Sequence, residues 1–237
     1  MVRRWVLGLS ALALVAAGLT AATSADAAAV TARVITVKAS SYTTTYATLE
    51  AWQRTASGSY RRVAGPWAAR VGYHGLAAPG TKVEGDGQTP SGQFRISPAF
   101  GVAGNPGTKM PYFKVDNSDW WVGDAHSVYY NQHRRCAPGT CPFKESASEH
   151  LANYPTAYRY AAFIRYNYAP AVPGKGSAIF LHVSGTGPTA GCVSVSASRM
   201  AWLLTWMRPA TTTTYNPLIS IGVGSKAYAP IPVRTSS

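Results

Sequence analysis

Acidic residues are scarce in this 237-residue chain: 9 Asp and Glu stand against 22 Lys and Arg, a formal net charge of +13 at pH 7. That scarcity works against a carboxylate-rich metal site. The histidines His74, His126, His133 and His150 do not help, because no spacing among them matches a zinc motif. Charge of either sign is thin, at 13% of residues. Apart from Arg3-Arg4 at the start, no Lys/Arg cluster exceeds the pairs Arg61-Arg62 and Arg134-Arg135. The concentrated basic stripe of a nucleic-acid binder is therefore missing. A spread positive field suits a polyanionic surface such as a cell wall. Beyond the N-terminal segment no run is apolar enough to span a bilayer. No repeat-type binding domain stands apart from the rest. Cysteine is limited to three residues, Cys136, Cys141 and Cys192.

What is abundant points to strands. Tyr, Trp, Thr, Ser, Gly and Pro dominate, a mix that suits a β-rich exported domain with many turns. Met1 to Ala28 reads as a secretory signal: Arg3 and Arg4, an apolar stretch from Trp5 to Ala22, then Ala25-Asp26-Ala27 as a small-residue cleavage site. A membrane anchor is the alternative, and the paired arginines leave twin-arginine export open. A mature chain carries a net charge of about +12. The expected division is a signal over 1–27, N-terminal strands packed on the core over 28–65, the main domain over 66–225 and a polar tail over 226–237.

Taken in order, Val30 to Lys38 alternates as a strand, and Thr43 to Arg54 runs through a hairpin turn at 55–59 into a return strand from Tyr60. These strands carry no visible chemistry and are expected at one edge of the fold. Glu84 to Ile96 holds three glycines and a proline before a short strand. It reads as a rigid loop shaping one side of a cleft, with Asp86 capping a turn. In the stretch from Asp119 to Asn131, Trp120 and Trp121 face opposite sides of a strand, so one is expected in the core and one near the surface. Trp121, Tyr130 and Asn131 are candidate substrate contacts. Glu145 to Asn153 reads as a short helix, Tyr158 to Tyr168 as a strand. Met200, Leu203, Leu204 and Met207 fall at helical spacing behind Ser196 as N-cap, and Leu218 to Val223 closes the fold.

The chemistry gathers in Ile179 to Val195. A short apolar run delivers His182, a Gly/Pro-rich turn follows, and Cys192 opens a second β-branched run. A strand, a loop and a strand bring one imidazole and one thiol to the mouth of a sheet, where thiolate attack needs a base. Cysteine arithmetic agrees. In an exported chain Cys136 and Cys141 read as a small disulfide hairpin over Pro138-Gly139, which leaves Cys192 as the single free thiol. The Ala190-Gly191-Cys192 turn can aim backbone N–H groups at an oxyanion, with Gly191 relaxing the backbone. Ser184 and Thr186 are candidates to orient His182.

Four stretches resemble the L,D-transpeptidase (YkuD-like) catalytic domain of bacterial cell-wall enzymes, nearest to a secreted actinobacterial branch. They are Glu84 to Phe94, Trp120 to Asn131, Gly174 to Val183, and Gly187-Pro188-Thr189-Ala190-Gly191-Cys192-Val193. The resemblance implies a mainly β fold, an L,D-transpeptidase-like β-sandwich of mixed sheets with short helices. It implies Cys192 as nucleophile, His182 as base, no cofactor, and peptidoglycan stem tetrapeptides as partner. Family members cleave after the third stem residue, hold the acyl group as a thioester, and pass it to an amine of a neighbouring stem or to water. Three departures stand out: a short His-to-Cys spacing, Ala190 where many members have His or Lys, and Ser194 where Arg or Asn is common. Two other readings use the same residues: an L,D-carboxypeptidase or cysteine peptidase with water as acceptor, and a non-catalytic wall-binding module.

Overall fold

The computed structural model describes residues 29–228. The expected signal segment and most of the tail lie outside them. In chain order the strands are β1 (Arg33–Ala39), β2 (Tyr46–Arg54), β3 (Tyr60–Arg70), β4 (Leu76–Ala77), β5 (Thr89–Pro90), β6 (Gly92–Gly101) and β7 (Tyr112–Lys114). They continue with β8 (Asp119–Trp121), β9 (His133–Arg135), β10 (Glu149–His150), β11 (Ala161–Ile164), β12 (Phe180–Val183) and β13 (Val193–Val195). The helix α1 (Ala197–Trp206) and the strand β14 (Leu218–Val223) complete the set. No helix among the described residues is long and apolar enough to cross a membrane.

The fold is mainly β with mixed sheets, as expected. Nine strands form one sheet in the order β11-β12-β13-β3-β2-β1-β14-β6-β7. An additional β11–β6 pairing closes that sheet on itself, so its two facing halves enclose a common core. Strand β6 makes the closure because it is long: Gly92 to Arg95 pair with β14, while Ile96 to Phe100 pair with β11.

The N-terminal strands do not form an edge. Strand β1 pairs in parallel with β14 and β3 meets β13, which puts β1 to β3 in the middle of the sheet. Local sequence carries the hairpin but not these long-range partners. Burial of β1 on both faces is the physical counterpart: Ile35 and Val37 enter the main core, and Val34 packs with Leu218 on the other side.

The helix follows its periodicity. Met200, Leu203, Leu204 and Met207 are fully buried, each contributing about 2 kcal/mol by burial. Ser196 stands at the N-cap position, although its side chain makes no capping bond.

Two expectations are corrected in the smaller three-stranded sheet β10-β8-β9. Trp120 and Trp121 are both buried, because β8 is covered on both sides. Trp121 enters an aromatic cluster with Phe100, Phe163 and Phe180, while Trp120 packs with Phe143 beneath the Cys136–Cys141 disulfide. The segment 145–153 is not one helix. It is two short 3-10 turns flanking β10, which pairs Glu149 opposite Trp121 and His150 opposite Trp120. Tertiary pairing overrides local helical tendency there.

Candidate active site

Strand alternation builds the site. On β12, Leu181 and Val183 point into the main core, as do Val193 and Val195 on β13. The intervening residues face the other way. Because β12 and β13 are parallel neighbours with His182 opposite Ser194, the residues Phe180, His182, Cys192 and Ser194 share the outer face. His182 and Cys192 open on one cavity of about 690 Å³.

Cys192 is the free thiol and is 8% exposed. Its Sγ donates to the Ala178 carbonyl at 3.4 Å and accepts the Phe180 N–H at 3.3 Å. Burial pushes the thiol up to about 12, and the nearby charge of Glu149 adds to that. His182 donates from Nδ1 to the Val183 carbonyl at 2.8 Å, which leaves the Nε2 lone pair as its acceptor. Burial holds its pKa down at about 4. The resting pair is therefore a neutral thiol and a neutral imidazole in the tautomer a general base requires. The ring of Tyr158 stands edge-on to His182, with centroids 5.6 Å apart and planes at 89°.

Hydroxyls fix the backbone of Cys192. Thr89 and Thr189 both donate to the Cys192 carbonyl, at 2.9 and 2.7 Å. Strand β5 thus reaches across 103 residues of sequence to hold the turn. The loop from Lys82 to Gln88 is caged by Asp86, whose carboxylate takes N–H bonds from Val83 and Gln88 and pairs with Lys82 at 2.7 Å. Burial opposes ionisation of Asp86, but Lys82 and those two N–H groups hold its pKa below the usual range. Lys82, Glu84 and Gly85 form one wall of the cavity, as a rigid cleft-shaping loop should.

The other candidates divide. Gly191 is required by conformation: its φ is +144°, and a Cβ there would meet the Gln88 carbonyl at 3.1 Å. Its N–H is not free for an oxyanion, since it donates to Thr189 Oγ1 at 3.2 Å. The Cys192 N–H, which bonds to no described residue, is the donor that the turn offers. Ser184 and Thr186 make no bond to His182; the Val183 carbonyl does that work, the partner without a side-chain signature. Trp121 lines the cavity. Tyr130 and Asn131 do not, because both are buried behind it as supports. Tyr130 donates to Glu84 and accepts the Gly176 N–H. Asn131 accepts from Trp121 Nε1 at 2.8 Å and from the Ala178 N–H at 3.1 Å, and it donates to the carbonyls of Tyr166 and Asn167. It thereby holds Ala178, whose carbonyl accepts the hydrogen bond from the Cys192 thiol and whose φ is +53°.

Asn131→Ala orphans several buried partners at once. It should cost about 3 kcal/mol in urea-unfolding measurements and slow the reaction of Cys192 by displacing Ala178.

Sequence reasoning missed Glu149 and Tyr158, which line the same cavity. Glu149 lay in a segment read as helix, and nothing local marks it as facing a cysteine 43 positions away. The histidines weighed as metal ligands are scattered. His133 bonds Asp119 at 2.7 Å, His150 donates to the Asn117 carbonyl, His74 bonds the Asp86 carbonyl, and His126 is exposed. Ser194 is fully buried opposite His182, and its hydroxyl has no partner among the described residues.

The family model for the L,D-transpeptidase catalytic domain (YkuD) matches residues 32–221, taking in β1 to β3 as well as the cavity. Comparison with curated proteins gave no match, and comparison with solved structures gave none. With a family model matching most of its length, from the central strands through the loop that carries Cys192, the chain belongs to the L,D-transpeptidase catalytic-domain family.

Proposed function

We propose that this protein is an exported cysteine acyltransferase acting on peptidoglycan stem tetrapeptides. The observation that carries the reading is the shared cavity of Cys192 and His182, with Nε2 left as the only unengaged ring nitrogen. As Sγ attacks the carbonyl of the third stem residue, Nε2 takes the thiol proton, and the Cys192 N–H is placed to meet the developing oxyanion. Collapse breaks the bond to the fourth residue, and the imidazolium returns its proton to that amine. The thioester is then resolved by an amine of a second stem, which gives a 3→3 cross-link, or by water.

Export and a wall location are part of the proposal. They are supported by the signal-like segment 1–27, the Cys136–Cys141 disulfide and the net positive charge. The test is intact-mass spectrometry of the mature protein with a disaccharide tetrapeptide. The expected result is a thioester adduct with release of the terminal D-alanine, and its transfer to an added amine acceptor. Release without transfer would make the protein a carboxypeptidase. No adduct, with wall binding retained, would favour a binding module.

A further inference from the structure

The second half of this reaction has more protons to move than His182 can carry. A side-chain amine has a pKa of about 10.4, so near neutrality the acceptor arrives as an ammonium without a lone pair. It must lose one proton before it attacks and another as the amide forms. His182 can relay one of them to the departing thiolate. With Nδ1 committed to Val183 and a pKa of about 4, its ring cannot hold the other.

A carboxyl group stands in the same cavity. Glu149 on β10 lines it together with Cys192 and Tyr158, and the Tyr158 hydroxyl donates to Glu149. No cation pairs with Glu149 among the described residues, in a protein with more than twice as many basic as acidic residues. Lys82, the cation on the facing loop, is occupied by Asp86 and the Val83 carbonyl. Glu149 is partly open toward the cavity, yet burial of its carboxyl pushes the pKa up to about 7. The titratable groups facing it are Tyr158 and Tyr154 beyond β10, Cys192 and His182 on the sheet, and Lys82 and Glu84 on the loop. Of these only Lys82 is a cation, and it is already paired.

We propose that Glu149 is the receptor and first base for the acceptor: it binds a primary alkylammonium, such as the side-chain ammonium of a diamino acid in a second stem, and takes one proton from it. The proposal rests on the acyl-transfer reading above. The balance closes. R–NH3+ gives a proton to the Glu149 carboxylate and becomes R–NH2. The amine attacks the thioester carbon and the C–N bond forms. Its second proton passes through His182 Nε2 to the sulfur as the C–S bond breaks. Glu149 then releases its proton to water. A carboxylate near pKa 7 is matched to a task that a base near pKa 4 performs poorly.

The experiment forms the thioester on the mature protein and chases it, from about pH 5.5 to 9, with Nα-acetyl-lysine or with methoxyamine, which is unprotonated over that range. In the wild type, transfer to acetyl-lysine should rise to about pH 7 and then level, while transfer to methoxyamine stays flat. In Glu149→Gln, transfer to acetyl-lysine at pH 7 should fall ~10²-fold or more and then climb about tenfold per pH unit without levelling. Transfer to methoxyamine should change less than about twofold. Equal slowing of both amines would mark a merely structural role and overturn the proposal. So would a wild-type rate that climbs tenfold per unit through pH 9, and this comparison decides the matter even if the variant does not fold. Failure to form any thioester would instead overturn the acyl-transfer reading, and this inference with it.

Discussion

Cys192→Ala is expected to lower D-alanine release from a tetrapeptide by at least ~10⁴-fold and to remove every covalent adduct, while leaving the fold intact. The side chain lost is small, and the two contacts it leaves, with the Phe180 N–H and the Ala178 carbonyl, are weak sulfur bonds. The change in stability should therefore stay near 1 kcal/mol, within reach of a thermal-melt check. The wild-type thiol makes a sharper expectation. Held up to about 12, it should react slowly with iodoacetamide at neutral pH and still be gaining reactivity above pH 9, whereas an ordinary cysteine levels near its pKa of about 8.5. Fast alkylation that is already level at pH 7 would mean a resting thiolate–imidazolium pair and would contradict the neutral pair in the cavity.

His182→Gln should cost 10²–10⁴-fold in acylation, the usual range for a lost general base, with little change in substrate affinity. Its signature in stability is less obvious. A histidine at about 4 in the fold and about 6.5 unfolded binds more protons when unfolded, so between those values stability falls with acid. Glu149 does the opposite. At about 7 in the fold and about 4.5 unfolded, it holds more protons when folded, so over nearly the same window stability falls with base. Each slope amounts to about 3 kcal/mol at full extent, and in the wild type they cancel. Melting temperature should therefore be nearly flat from about pH 4.5 to 6.5. His182→Gln should become more stable on acidification from pH 7 to 4.5 and Glu149→Gln less stable, each by several degrees. Differential scanning calorimetry across that range checks both signs. Parallel slopes in the two variants would show that one of the buried groups is not where its burial places it.

That His182 and Cys192 come together was legible because their signals are local. His182 follows an apolar run, Cys192 follows a Gly-rich turn, and a free third cysteine is conspicuous beside a Cys-x4-Cys loop. The helix after Cys192 and the closing strand were legible for the same reason, as an i, i+3, i+4, i+7 stripe and a β-branched run. Tyr130 and Asn131 were misread because an aromatic or amide looks the same in sequence whether it lines a cavity or braces its back wall. Trp120 and Trp121 were misread because a strand covered on both faces leaves no exposed alternate.

By itself, then, the sequence determined the first hairpin, the helix α1, the closing strand β14 and the disulfide, and it singled out one free thiol and one imidazole, since periodicity, turn chemistry and residue type act over a few positions. Tertiary structure alone decided what acts over long separations. It closed the sheet through β6 and β11, set β1 to β3 at its centre, and gave His182 a backbone carbonyl as its partner. It also brought Thr89 to the Cys192 carbonyl and turned Glu149 toward the cavity. Pairing partners and burial arise only when distant segments exclude water together, and burial sets the proton affinities on which the chemistry of this cavity depends.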